Sequence, residues 1–307
     1  MPSAIAMTAD SHAKSGIAGV RGRFRMGHVE VYGFAAVWAA GVLAPMLLVV
    51  GLSLLRVHGV RIDWSLSLQS YRDILETGRW EVVLRTVEVA AFVTLICFVV
   101  GFPFAYWLAK RAGSQRLVVF TQICLTVPFF LDPSARVIVW RTILGSTGLI
   151  NTTLLKLHLI GAPIEWLLFS DFSVYLGLVA SYFPNMVWPL YLSITLIDDE
   201  LLKASSDLGA SPAATLRNIV APLAMPGMLA GAIFTFIPIL GDNVVPTLLG
   251  GGTKEYIADS VMNLSTSMNY SVAAAFAAIV LILLFALLGL LWLVRGRIAG
   301  IAGRAAA

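Results

Sequence analysis

Glu88, Asp132 and Asp242 are the side chains of this sequence best placed to do chemistry, because each lies in or at the end of a stretch otherwise built of apolar residues. A carboxylate there costs roughly 2.5–3.5 kcal/mol on insertion scales, so it must face protein or water rather than lipid. Spaced carboxylates attract ammonium groups, and aromatic faces accept the cations and the methylenes between them. Trp140, Trp188 and Tyr191 supply such faces. Asp242 is the first candidate, since Gly241 and Pro246 surround it with irregular backbone that must line protein or a path. Internal neutralisation is the competing reading. Arg85 precedes Glu88 by three residues and Arg136 follows Asp132 by four, spacings at which opposite charges meet on one helix face.

The same acids form no recognisable catalytic motif. His12, His28, His58 and His158 fall outside the apolar stretches, no His-Glu-x-x-His occurs, and no Gly-Lys dipeptide is present from which a P-loop could be built. Cys97 and Cys124 are too few, and too apolar in setting, for a disulfide framework or a metal site, and read as packing residues. Neither a catalytic residue nor a metal ligand is expected.

Composition dictates the elements that position the acids. Of 307 residues, 59% are hydrophobic and 12% charged, whereas soluble domains carry about a quarter charged residues. Runs of about 20 apolar residues cross a bilayer. Val31–Leu55, Val82–Ala109, Leu117–Trp140, Ser173–Ile197, Pro222–Gly250 and Tyr270–Val294 predict six transmembrane helices, an all-α integral membrane domain over residues 31–295. Residues 1–30 lack an apolar core for a signal peptide and read as a disordered, basic cytoplasmic tail near the anionic leaflet; residues 296–307 form a second tail. With both termini cytoplasmic, the inner segments hold 12 of the 21 Lys and Arg, as the positive-inside tendency expects. The net charge of +4 sits beside spans and gives no sign of nucleic acid. Pro103 predicts a kink, the Pro184/Pro189 pair a break in the fourth span, and Pro238, Gly241 and Pro246 a break in the fifth. In the outer segment 65–75, Leu68, Tyr71 and Leu75 share one helical face.

The polar interruption Ile197–Pro222 reads as two short helices around a tight turn. Asp198 and Asp199 suit the positive start of the first. Leu201, Ala204, Ser205 and Leu208 recur at helical spacing as a small-to-apolar face. Gly209 stands where the chain needs a left-handed residue, and Ser211-Pro212 opens the second helix. A helix–Gly–helix elbow over 198–221 between two spans presents a rigid knob to the cytoplasm.

At these residues the chain resembles the permease subunits of binding-protein-dependent ABC importers. Their signature is Glu-Ala-Ala, three residues, Gly, nine residues, then Ile-x-Leu-Pro. Here it meets Lys203-Ala204-Ser205, Gly209 and Ile219-Val220-Ala221-Pro222, with the acid replaced by a lysine. Gly101–Ala109, Pro128-Phe129 with Arg136 and Trp140, Gly145-Ser-Thr-Gly148-Leu-Ile-Asn151 and Tyr182–Tyr191 also match family patterns. Phe236–Gly250 resembles the spermidine/putrescine permeases, except that Asn243 replaces an aromatic. The resemblance covers roughly residues 60–295.

It implies a bacterial inner-membrane permease that is not itself an enzyme. Lys203, Ala204, Ser205, Asp207, Leu208, Gly209, Ala210 and Ser211 would couple to an ATPase subunit dimer, which binds ATP and magnesium so that no cofactor resides on this chain. Gly145, Gly148 and Asn151 would receive a periplasmic substrate-binding protein. A second, different permease would complete a path lined by Asp242, Asp132, Glu88, Arg136, Trp140, Trp188 and Tyr191. The implied solute is a small organic cation of the polyamine kind. An opine or another amino-acid derivative stays open, because of Asn243. A secondary transporter driven by an ion gradient would show inverted repeats around broken helices, and no convincing repeat is present.

Overall fold

The computed structural model describes the backbone of residues 28–58 and 61–305 and the side chains of residues 32–56 and 63–289; of the expected N-terminal tail, residues 1–27 lie outside them. Two compact units divide the chain, residues 1–48 and 49–307. The first holds most of helix α1 (His28–Ser53).

The second unit opens with an antiparallel hairpin, β1 (Leu55–His58) and β2 (Arg61–Leu66), pairing His58 with Arg61 and Val57 with Ile62. Helix α2 (Gln69–Glu76) follows. It turns Ser70 and Ile74 inward and ties Tyr71 Oη to Ser53 Oγ at 2.9 Å, while Leu68 and Leu75 of the expected face stay exposed. Helix α3 (Trp80–Lys110) runs unbroken through Pro103.

The third expected span is two helices, α4 (Gln115–Phe130) and α5 (Pro133–Leu144). The chain bends by 106° between Gln115–Phe130 and Pro133–Lys156, a stretch that includes α6 (Leu149–Lys156). Pro133 is the reason. It keeps Asp132 out of the helical region, at φ −55° and ψ 133°, and Asp132 then caps the helix that Pro133 opens.

Helix α7 (Asp171–Thr195) starts in a reciprocal cap between Ser170 and Ser173 and continues through both Pro184 and Pro189. The expected break in the fourth span is absent. Each proline removes one ladder bond, but α3 on one side and α11 (Met225–Leu240) on the other pack along this helix and hold its course. The approach is close: a Cβ on Gly227 would stand 2.5 Å from the Pro189 carbonyl oxygen.

Helix α8 (Asp199–Asp207) is capped by Asp198, whose carboxylate accepts from Glu200 N at 2.9 Å. Gly209 takes φ +80°, and Ser211 caps α9 (Pro212–Thr215), which runs on through a π turn, Leu216–Val220, and α10 (Ala221–Leu223). A 69° bend leads from Pro212–Leu223 into α11. After a break at residues 241–243 come α12 (Val244–Gly250), α13 (Ile257–Thr266) and α14 (Tyr270–Ala305). The backbone of the expected C-terminal tail is therefore helical to residue 305.

Among the described residues four helices are long and apolar enough to cross a membrane, and six spans result if each bent pair counts as one. The main core joins Val93 and Cys97 of α3, Met186 and Leu190 of α7, Leu240 of α11 and Leu249 of α12. A second cluster joins Ile74, Val82, Ile257 and Phe276. Cys97 packs in the core as expected, whereas Cys124 is exposed.

Candidate solute path and coupling segment

Asp242 sits in the break between α11 and α12. Its Oδ1 accepts from Val244 N at 2.8 Å and Val245 N at 3.1 Å, and its Oδ2 accepts from Tyr182 Oη at 2.9 Å. The carboxylate thus caps α12 and leans on α7 at once. Two oxygens offer about four acceptor positions, so the three bonds leave capacity for an incoming ammonium.

The far end of α12 is fixed as firmly. Phe169 N and Ser173 Oγ both donate to the Leu249 carbonyl, at 2.8 and 2.9 Å. Gly177 permits the contact, since a Cβ there would stand 2.4 Å from Leu249 Cδ1.

Beside Tyr182 lies a cavity of about 160 Å³, lined by Phe129, Leu131, Arg136, Ser181, Tyr182 and Asn185 among others. Arg136 Nη1 donates to the Ser181 carbonyl at 3.4 Å, and among the described residues its buried Nε has no partner. The expected pairing of Asp132 with Arg136 does not form. Asp132 Oδ1 instead accepts from Ser134 N and Ala135 N, because the cap that starts α5 takes the carboxylate first. Glu88 and Arg85 do not pair either; among the described residues the ion pairs are Lys110–Asp199 and Lys254–Asp171. Glu88 is exposed on α3.

The structure therefore brings Asp242 and Arg136 together around Tyr182, while Asp132 caps α5 and Glu88 stands apart on α3. Trp188 and Tyr191 meet edge to face, 6.0 Å apart, and Trp140 packs against the main core.

Three residues escaped the sequence reasoning. Tyr182 anchors Asp242 across 60 positions, a separation with no local signal. Asp259 accepts from Thr247 Oγ1 at 2.9 Å and Tyr256 N at 3.3 Å, which joins α13 to α12. Burial raises its carboxyl above the usual range, against those two hydrogen bonds and with help from Glu255 and Asp242. Lys110 is the third, and it meets Asp199 at the start of α8. The ammonium holds that carboxyl below its ordinary value.

In α6, Asn151 is fully buried. Its amide donates to the Gly145 and Ile164 carbonyls and accepts from Ile164 N at 2.7 Å. It shapes the Gly145–Gly148 turn from within. Gly148 is also buried, leaving no room for a side chain beside the Thr142 carbonyl. Along 203–211, Lys203, Ala204, Asp207, Leu208, Gly209 and Ser211 are exposed, Leu208 at 89%. Ser205 is turned inward and bonded to Thr215 Oγ1 at 2.8 Å, so it braces α8 against α9.

The family model for the binding-protein-dependent transport system inner membrane component matches residues 74–298. Over 222 residues, 72% of this chain, the sequence is 36% identical to the spermidine/putrescine transport system permease protein PotB of Escherichia coli (strain K12), covering 79% of that protein. The protein of the same description from Haemophilus influenzae is 32% identical over 68% of this chain and 73% of its own length. In fold, the chain is similar to one in the crystal structure of a bacterial alginate ABC transporter with its alginate-bound periplasmic protein. That likeness has a TM-score of 0.64 and 15% identity, covering 85% of this chain and 92% of the other. Multi-pass topology, family model and relatives agree: this chain belongs to the inner membrane components of binding-protein-dependent transport systems.

Proposed function

We propose that the chain is one permease half of an ABC importer for polyamines such as spermidine or putrescine. The observation that carries this reading is the 36% identity to a spermidine/putrescine permease over most of the chain. The geometry supports it. Asp242 offers a partly exposed carboxylate at a helix break, where irregular backbone is tolerated only beside protein or water. Tyr182 orients that carboxylate without neutralising it. In this reading both termini are cytoplasmic, a binding protein delivers the solute from outside, and an ATPase dimer docks on the exposed side of 203–211. ATP and magnesium are bound there and not on this chain.

Asp242→Asn tests the solute. The amide keeps the cap through its oxygen and can donate to Tyr182 Oη, so the shape survives while the charge goes. Spermidine uptake per assembled complex is expected to fall about tenfold or more, the loss of one charge-assisted contact. Unchanged uptake would leave Asp242 a structural cap. One observation favours a second reading, a solute bearing a carboxylate: the Arg136 guanidinium lines the cavity with no acidic partner among the described residues. Under it Arg136→Gln, and not Asp242→Asn, abolishes uptake.

A further inference from the structure

We propose that Lys110 is the positioning residue through which the coupling segment moves with the membrane helices, an inference that rests on the importer reading above. Lys110 is the last residue of α3. Its Nζ donates to the Ile197 carbonyl at 2.5 Å and to Asp199 Oδ1 at 2.6 Å. One side chain thus joins the end of one long helix, the chain leaving a second, and the first residue of α8.

The chemistry suits the task. An ammonium offers three donors from a compact head, so it can hold a carbonyl and a carboxylate together. Exposed ion pairs are weak because water competes and two free side chains must be ordered. Here the lysine side chain is 8% exposed against 69% for Asp199, so one partner is already immobilised and largely dry. The Ile197 carbonyl lies just beyond the negative end of α7, which favours a cation there.

The other polar side-chain bonds of residues 198–215, among the described residues, stay inside the segment. Asp198 caps Glu200 N, Ser205 meets Thr215, and Ser211 caps Ala214 N. Leu202 and Leu216 also pack against the core, but apolar contact is non-directional and tolerates sliding. The Lys110 clamp is what fixes α8 in direction. A push on α8 then reaches α3 and α7 together, and α7 carries Tyr182, which holds Asp242. Lys110 touches neither solute nor nucleotide; it acts through the helices it joins.

The test uses the complete importer in proteoliposomes: both permeases, the ATPase and the binding protein. Lys110→Met keeps the apolar stem and removes the donors. Assembly and basal hydrolysis are expected to stay normal. Stimulation of hydrolysis by spermidine-loaded binding protein, and uptake per complex, should fall about two- to thirty-fold, the span seen for residues on a coupling route. Lys110→Arg should restore both. A purely structural role would lower the amount of complex without changing the ratio of stimulated to basal hydrolysis. Should Lys110→Met fail to assemble, Asp199→Ala, at an exposed position, must lower the same ratio. Wild-type stimulation in the assembled variant overturns the proposal. Gly209→Val separates the two levels. Intact coupling in that variant sinks the docking reading itself, whereas uncoupling there with normal Lys110→Met sinks only the clamp.

Discussion

Asp242 and Asp259 show how one residue type takes opposite parts in neighbouring elements. Asp242 caps α12 and is held open by Tyr182. Asp259 is bound by Thr247 and Tyr256 N, yet its carboxyl is raised by burial. A raised carboxyl favours its neutral form in the folded protein. Its contribution to stability is complete below the ordinary value of 3.8 and is lost as pH rises through the raised folded value. Asp259→Asn removes that dependence. The amide oxygen can accept from Tyr256 N while its nitrogen donates to the Thr247 hydroxyl, so no partner is stranded. At neutral pH the variant should equal or exceed the wild type, by about 0.5 kcal/mol in this half-exposed setting. The gap should close as pH falls into the carboxylate range. Thermal unfolding of detergent-solubilised complex at several pH values measures this, and a gap that widens on acidification would contradict the assignment. Asp199 has the opposite sign: its carboxyl is depressed, so the Lys110 clamp is complete above the ordinary 3.8 and lost only as pH falls below it.

Helices with strong local punctuation were legible in the sequence, and those decided by neighbours were not. Asp198, Gly209 and Ser211-Pro212 took the cap, left-handed and first-turn places that their types suggest. Asp132-Pro133 carries the same cap-and-proline signature, but inside an apolar run it read as one span, so the 106° bend that Pro133 sets there was missed. Pro184 and Pro189 erred the other way, because the packing of α3 and α11 on α7 outweighs two lost ladder bonds. The β1–β2 hairpin left a trace in the alternation of Ile62, Trp64 and Leu66 with polar residues, a period-two pattern masked by its charges. The clearest element-scale test is Gly209→Val. No atom of the described residues lies within 4 Å of where its Cβ would stand, so the cost is backbone strain, about 1–3 kcal/mol for a β-branched residue at φ +80°. The complex should insert and assemble, while coupled hydrolysis and uptake are lost. Gly209→Asn, which tolerates the left-handed region, should lose much less. Equal behaviour of the two variants would show that the turn conformation is irrelevant to coupling.

At the scale of the whole molecule, the proposed importer needs two permease halves, and one chain would supply only half of what a polycation requires. Asp242 sits at a helix break, as Asp132 does, but its carboxylate also leans on α7 through Tyr182, and Arg136 stands beside the same tyrosine with no acidic partner among the described residues. Two copies of this chain around one path would bring two such arginines to a route for a cation, and like charges in a medium of low dielectric repel strongly. A different second permease can contribute acids without repeating the arginine. Exposed apolar side chains on α3, α4 and α7, such as Leu95, Phe129 and Leu192, leave ample surface for lipid and for that partner. The membrane core is therefore expected to hold this chain once, beside a second and related permease, with an ATPase dimer below. Mass measurement of the intact complex checks the stoichiometry directly. Equal amounts of two distinct permeases are expected, and a core made of two copies of this chain alone would refute the pairing. In that event the two Arg136 side chains would need a counter-ion in the path, which returns the argument to a solute carrying a carboxylate.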